Sequence, residues 1–262
     1  MTKSTIGTTE NNTAADQKGN VSNTPAVEYQ ISSLSPLRRV IAARMTEAKQ
    51  SIPHYRVSMA IQMDSVIAQR KILNANNPKT RISVNDFIIK AVALALMEKP
   101  ALNSQLVGNQ LHQYAQADIS IIVAVEGGLA TPILRNVNSK SLQQIAEEVK
   151  ALAAKAVAGK LKRQDIEGGT FSISNLGKYG VDQFDAIINP PQVAILAVGS
   201  AIPQPVAREG KVVIVSMMRA SLSLDHRAID GAVGAEFLGL LKAHLEHPEK
   251  LLSENSKELP NV

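Results

Sequence analysis

The most regular pattern in the chain is a period of two: Tyr55, Val57, Met59, Ile61 and Met63 alternate with polar or small residues, which predicts a half-buried strand. Helical spacing precedes it. Leu37, Val40, Ile41, Met45 and Ala48 follow the start signal Ser35-Pro36, so a helix burying one face is expected as far as Pro53, with Arg38, Arg39, Arg44 and Lys49 on its other face. Asp64 is placed to cap a short helix through Leu73, and Ser83 to cap a long apolar helix over 84–97. A weak strand pair surrounds Gly108-Asn109, and residues 119–125, ISIIVAV, read as one fully buried strand. Residues 139–158 predict an exposed amphipathic helix closed by Gly159. Thr170, Ser172 and Ser174 then share one strand face, while Phe171 and Ile173 share the other. VAILAVG, 193–199, predicts another buried strand, 206–215 a hairpin through Glu209-Gly210, and 230–246 a last helix with Val233, Phe237, Leu240, Leu241 and Leu245 inward.

Strands and helices interleave irregularly, with hairpins as well as long crossovers. The expected class is therefore α+β, a mixed β-sheet flanked by helices, with no internal repeat. Residues 1–30 are polar and poor in apolar side chains, so a disordered leader or linker is expected there, followed by one domain over 31–252 and a polar C-terminal tail over 253–262.

Composition narrows the chemistry. With 45% hydrophobic and 19% charged residues, the 262-residue chain can bury a proper core. The net charge of +5 is spread out and only 3% of residues are aromatic, so no nucleic-acid partner is expected. No apolar run reaches the roughly 20 residues of a membrane span, and the first residues resemble no signal or transit peptide, which points to a cytoplasmic protein. The chain has no cysteine, so any thiol chemistry belongs to a substrate.

Titratable groups crowd together in residues 221–232, SLSLDHRAIDGA, where a predicted strand runs into Asp225, His226 and Arg227, then Asp230 and Gly231. Histidine ionises nearest neutrality, which makes His226 beside a carboxylate a candidate general base, against the alternative of a packing residue at a strand end. No metal is expected on His226 and Asp230, because further ligands are missing nearby. His54, in IPHY, reads as structural.

Six blocks in order, LSPLRRVIAARMTEAKQSIPHY, SVNDFIIKAVALAL, GGLATPILR, GGTFSISNLGKYG, INPPQVAILAVG and DHRAIDG, resemble the catalytic domain of the dihydrolipoamide acyltransferases of 2-oxo acid dehydrogenase complexes. The resemblance covers about residues 31–252. It implies a fold like that of chloramphenicol acetyltransferase, a homotrimer with active sites between subunits, and possible assembly into a larger cage. Its substrates would be coenzyme A and the dithiol of a lipoyl group, the latter brought on a lipoyl domain in trans, since no lipoyl-lysine is expected in this chain. His226 would take the proton of the attacking thiol, Ser174 would donate to the oxyanion, and Asp230 would hold the histidine loop, with Arg38 as its partner by analogy and Arg39 and Arg227 competing. Gly127, Gly128 and Leu129 would let the backbone approach a ligand, and Asn175 would join the substrate site. SNLGKYG and the block after it look more like the acetyl-transferring than the succinyl-transferring members. A scaffold with weak chemistry, or a free-standing biosynthetic acyltransferase, is the alternative.

Overall fold

A computed structural model of the chain describes residues 32–77 and 80–252, so the expected leader and C-terminal tail lie outside the described residues. The chain divides into two units, Met1–Ser33 and Leu34–Val262. Of the first, Ser32 and Ser33 are described, both exposed and without regular structure.

In the second unit, the Ser35 hydroxyl accepts from Arg38 N (3.1 Å) and Pro36 takes the first position of helix α1 (Pro36–Ser51). Strand β1 (His54–Gln62), helices α2 (Asp64–Asn76) and α3 (Val84–Glu98), and a hairpin of β2 (Ser104–Val107) and β3 (Gln110–Gln113) follow. Then come the short strands β4 (Ile119–Ile121), β5 (Val123–Val125), β6 (Gly128–Ala130) and β7 (Ile133–Leu134), helix α4 (Leu142–Val157) and the one-turn helix α5 (Arg163–Ile166). The remainder is β8 (Phe171–Asn175), β9 (Ala194–Val198), β10 (Ile202–Arg208), β11 (Lys211–Asp225) and helix α6 (Gly231–Glu246). The main sheet runs β1-β11-β9-β8-β4-β7, with β10 also on β11; β4, β8 and β9 are parallel and the other pairings antiparallel. The mixed sheet with flanking helices is thus the architecture. No helix among the described residues is long and apolar enough to cross a membrane.

Register explains why the two sheet faces differ. Phe171, Ile173, Leu196, Leu222 and Leu224 share one face and join the main core with the buried residues of α3 and α6; the Phe171 and Phe237 rings lie 5.7 Å apart. Gly234 allows α6 this close, since a Cβ there would stand 2.4 Å from Leu224 Cδ1. The opposite face is rich in hydroxyls: Ser172 and Ser174 on β8, with Thr170 just before it, Ser221 and Ser223 on β11, Ser58 on β1. Residues 181–192 cross that face as a strap. Ser223 Oγ donates to Ala186 O (2.7 Å), Gln183 Nε2 donates to Ser58 Oγ (2.9 Å), and Arg56 and Arg219 pair with Asp185 and Asp182. A small second core of Ala48, Ile52, Ile188 and Ile195 seals its lower end.

Four expectations need correction. Residues 119–125 are not one buried strand: the ladder leaves the main sheet at Ile122, and β5 pairs with β6 in a separate two-stranded sheet with Ala124 exposed. The chain returns through Pro132, whose carbonyl accepts from Ile121 N, so β7 can pair with β4. Of helix α1 only Ala48 is fully buried, and Leu37 and Val40 stay 44% and 57% exposed, although Leu37 and Ile41 lie against Gly128 of β6. Met63, not Asp64, precedes α2, and the Asp64 carboxylate accepts from Ser216 N on β11 instead. The hairpin expected over 206–215 extends over 202–217, with Glu209 and Gly210 both at positive φ in its two-residue turn, and β11 continues to Asp225 between β1 and β9.

Candidate active site

Strand β11 ends on Asp225, which is 1% exposed. The Arg227 fork closes over it: Nε donates to Oδ1 (2.9 Å) and Nη2 to Oδ2 (2.7 Å), while Arg227 N donates to Oδ1 (3.0 Å). These bonds hold the Arg227 guanidinium above its ordinary pKa. Asp225 is therefore a structural anchor. Its carbonyl accepts from Ala228 N and Ile229 N, and His226 N donates to Pro53 O (3.1 Å), so the turn fixes the histidine backbone between β11 and the start of β1.

The His226 side chain is 45% exposed. Its ring meets the ring of Tyr55 edge-on, with centroids 5.0 Å apart and planes at 82°. Tyr55 in turn packs closely on Gly231, where a Cβ would stand 2.6 Å from Tyr55 Cε1 unless the ring moved. The HxxxDG spacing thus has a packing reason for its glycine. Tyr55 is a site residue that sequence reasoning missed. Its signal was the alternation of β1, which gave the strand but not the register placing His54 opposite Asp225.

Asp230 precedes α6 without capping it, is 85% exposed, and lies 4.0 Å from His226 Nδ1, beyond hydrogen-bonding distance. The arginine pairing implied by the resemblance is not made within the chain. Arg227 serves Asp225, Arg39 Nη1 donates to Leu34 O, and the Arg38 side chain has no partner among the described residues. His54 is engaged on both ring nitrogens, Nδ1 donating to Ile52 O (2.9 Å) and Nε2 accepting from Ile188 N (3.1 Å). This requires a neutral ring, and burial, aided by Lys49 and Arg56, lowers its pKa.

At the far end of the sheet, the hydroxyl-bearing face of β8 is divided by partnership. Thr170 Oγ1 donates to Asn103 Oδ1 (2.6 Å) and Ser172 Oγ to Gln192 Oε1 (2.5 Å). Ser174 alone of the three has no hydrogen-bond partner for its hydroxyl among the described residues, although the residue is only 9% exposed. Asn175 is engaged at both ends of its amide: Nδ2 donates to Asn85 Oδ1 (2.8 Å) and Oδ1 accepts from Gly177 N (2.8 Å). One N–H and one lone pair of the amide remain beyond these two bonds. Gly127 takes φ 75° in the β5–β6 turn, and the close approach that Gly128 permits is that of α1, since a Cβ there would stand 3.1 Å from Ile41 Cδ1. Leu129 is 47% exposed beside them.

Ser174 and His226 do not meet within one chain. Ser174 is in register with Ala197, and Ala197 with Ser221, so His226 lies about 16 Å further along β11 and about 10 Å across two ladders. Among the described residues no group of three or more His, Asp and Glu could hold a metal ion.

Residues 26–253 match the family described as 2-oxoacid dehydrogenases acyltransferase (catalytic domain). The dihydrolipoyllysine-residue acetyltransferase component of the pyruvate dehydrogenase complex from Zymomonas mobilis subsp. mobilis is 46% identical over 223 residues, 84% of this chain and 51% of that one. The chain spans about half the length of the curated relatives it matches. The structure of Azotobacter vinelandii dihydrolipoamide acetyltransferase superposes with a TM-score of 0.82 at 33% identity, covering 86% of this chain and 95% of that one. That work examined the role of a serine, a histidine and an asparagine in its catalytic mechanism, the serine 52 positions before the histidine and the asparagine four after it. A subunit of the cubic core of the pyruvate dehydrogenase multienzyme complex gives a TM-score of 0.83 at 32% identity, covering 91% of this chain and all of that one. On the extent of the family match and the identity to these relatives, the chain belongs to the 2-oxoacid dehydrogenases acyltransferase (catalytic domain) family.

Proposed function

We propose that the chain transfers an acyl group, acetyl by its likeness to the acetyltransferase relatives, between coenzyme A and the dithiol of a lipoyl group presented by a lipoyl domain in trans. The observation that carries this reading is the spacing of an unengaged hydroxyl and an exposed imidazole. Ser174, His226 and Asp230 repeat the intervals of 52 and four residues found in the Azotobacter vinelandii enzyme, with aspartate in the asparagine's place.

A thiol is mostly protonated at neutral pH and attacks only as thiolate. Nδ1 of His226 is the nitrogen nearer Asp230, which leaves Nε2 to take the thiol proton. The sulfur adds to the thioester carbonyl, and the oxyanion accepts a hydrogen bond from Ser174 Oγ, a donor of the kind worth about 3 kcal/mol at such a centre. When the intermediate collapses, the departing thiolate regains the proton from His226. No acyl-enzyme forms. Because His226 and Ser174 of one chain lie at opposite ends of the sheet, the site is completed by a second copy, in a homotrimer that can assemble further, as the cubic-core relative does.

The test is release of free coenzyme A from acetyl-CoA in the presence of dihydrolipoamide, for the wild type, His226→Ala and Ser174→Ala. Wild-type turnover should fall by at least about 100-fold in each variant. Equal turnover in wild type and His226→Ala refutes the assignment of the base. Light scattering reports the oligomer, and a monomer that retains full activity refutes the shared site.

A further inference from the structure

The unengaged hydroxyl of Ser174 raises a mechanical question: what holds it still. On one side Ser174 is laddered to Ala197 of β9, but on the other the pairing of β8 with β4 ends at Ile121 opposite Ile173, with one last bond from Ile122 N to Ile173 O. The tip of β8, residues 174 and 175, therefore has a neighbouring strand on one edge only. Its second edge is fixed through Asn175. The Asn175 amide donates from Nδ2 to Asn85 Oδ1 (2.8 Å) and accepts at Oδ1 from Gly177 N (2.8 Å), which binds the strand end both to the turn that follows and to α3. Asn85 sits in the first turn of α3, inside a capping box in which Ser83 and Asp86 exchange side-chain and backbone bonds. Helix α3 is buried from Asp86 to Ala93, so its N-terminus is a rigid mount.

We propose that Asn85 is a positioning residue for the acyl-transfer reaction, holding the β8 tip through Asn175 so that the Ser174 hydroxyl points where the oxyanion develops. No hydrogen bond joins Asn85 to Ser174 among the described residues, and its effect is transmitted by one side-chain hydrogen bond to Asn175. The inference rests on Ser174 being the oxyanion donor. A preorganised donor works by needing no reorganisation during reaction, so freeing the strand tip lowers kcat and leaves substrate binding little changed.

A double-mutant cycle tests this in the full chain, with Asn85→Ala, Ser174→Ala and the pair assayed for acetyl transfer from acetyl-CoA to dihydrolipoamide. Ser174→Ala is expected to lower kcat about 100-fold. Asn85→Ala is expected to lower kcat about 10-fold with both KM values within about twofold, and to cost less than about twofold when Ser174 is already alanine. Asn85→Asp, which keeps an acceptor oxygen facing Asn175, should recover most of the loss. If Asn85→Ala does not fold, Asn85→Ser takes its place in the cycle. Losses that multiply independently, or Asn85→Ala with unchanged kcat beside an impaired Ser174→Ala, overturn the positioning role alone. Ser174→Ala with unchanged kcat overturns the oxyanion assignment and this inference with it.

Discussion

Gly231→Ala offers a sharp test of the link between α6, Tyr55 and His226. The added methyl would stand 2.6 Å from Tyr55 Cε1 and 3.1 Å from Cζ and the hydroxyl oxygen, so the ring must move by close to 1 Å to restore van der Waals contact at about 3.5 Å. Tyr55 is 42% exposed and can swing toward solvent, which keeps the loss of stability below about 1 kcal/mol, under the usual range for overpacking a closed core. What is lost is the edge-on contact with His226. An aromatic pair of this kind contributes about 0.5–1.5 kcal/mol, which sets the fall in kcat at about 2- to 12-fold if the imidazole merely loses its support. Misplacement of the base by a full 1 Å would extend the loss to about 100-fold. Tyr55→Ala should reproduce the defect, and adding Gly231→Ala to it should cost nothing more. Gly239→Ala is the control in the same helix: a Cβ there meets no atom within 4 Å, so stability should rise by about 0.5–1 kcal/mol with kcat unchanged. The assays are steady-state acetyl transfer and urea unfolding. Wild-type kcat in Gly231→Ala, or an equal loss in Gly239→Ala, refutes the reasoning.

Three further outcomes follow from other parts of the fold. His54 is kept neutral by its two backbone bonds, with folded pKa below the ordinary 6.5, so the unfolded chain takes up a proton first as pH falls. Its contribution to stability is present above about pH 6.5 and is lost as pH drops through the folded value; a urea midpoint that falls between pH 7.5 and 5 in parallel for wild type and His54→Gln would refute this. Arg135 binds the Asp118 carboxylate (2.8 Å) and the carbonyls of Gln164, Glu167 and Gly168 ahead of β8. Because the guanidinium is 41% exposed, Arg135→Lys should cost only about 1–2 kcal/mol, and a shift under about 0.3 kcal/mol in chemical unfolding would show that the fork carries no weight. Arg227→Ala leaves the Asp225 carboxylate buried with one backbone donor and should cost about 3–5 kcal/mol, against less than half of that for Asp225→Asn, as read from unfolding midpoints.

Local pattern carried much of the architecture. The alternation of β1, the capping box at Ser83, the apolar run of α3 and the split of β8 into hydroxyl and aromatic faces were all legible, because each depends on residues within a few positions of one another. Register was not. The break at Ile122 lies inside an unbroken apolar run and is decided by which strand each half finds as a neighbour, a fact of the whole sheet. Helix α1 shows the opposite error: its amphipathic spacing predicts a buried face, yet within the chain only Ala48 of that face is fully buried, because periodicity states that a face is apolar without stating what covers it. In the candidate site, His226, Asp230 and Ser174 stood out by type and motif, whereas Tyr55 and Asn85 did not, since their roles come from contacts made across the fold. Asp225, which adjacency alone places beside the histidine, is the buried partner of Arg227, a pairing that motif spacing does not state.

The separation of Ser174 from His226 permits one more test, and it needs no knowledge of the acyl donor. Ser174 lies at the C-terminal end of β8, whereas His226 follows the end of β11 that sits beside the N-terminal ends of β8 and β9, so no side-chain rotation can bring the two within about 3 Å of one reacting carbonyl. If the site forms between copies, each site takes its serine from one chain and its histidine from another. Ser174→Ala and His226→Ala assemblies are then each inactive, but mixing them after dissociation and reassociation yields sites whose serine comes from a His226→Ala chain and whose histidine comes from a Ser174→Ala chain. Random assortment at equal amounts makes about one site in four fully wild type, so about a quarter of wild-type turnover should return. Mixing without dissociation should return none. If each site lay within one chain, every site in the mixture would still lack one group, and turnover after reassociation no higher than that of the parent variants would refute the shared site.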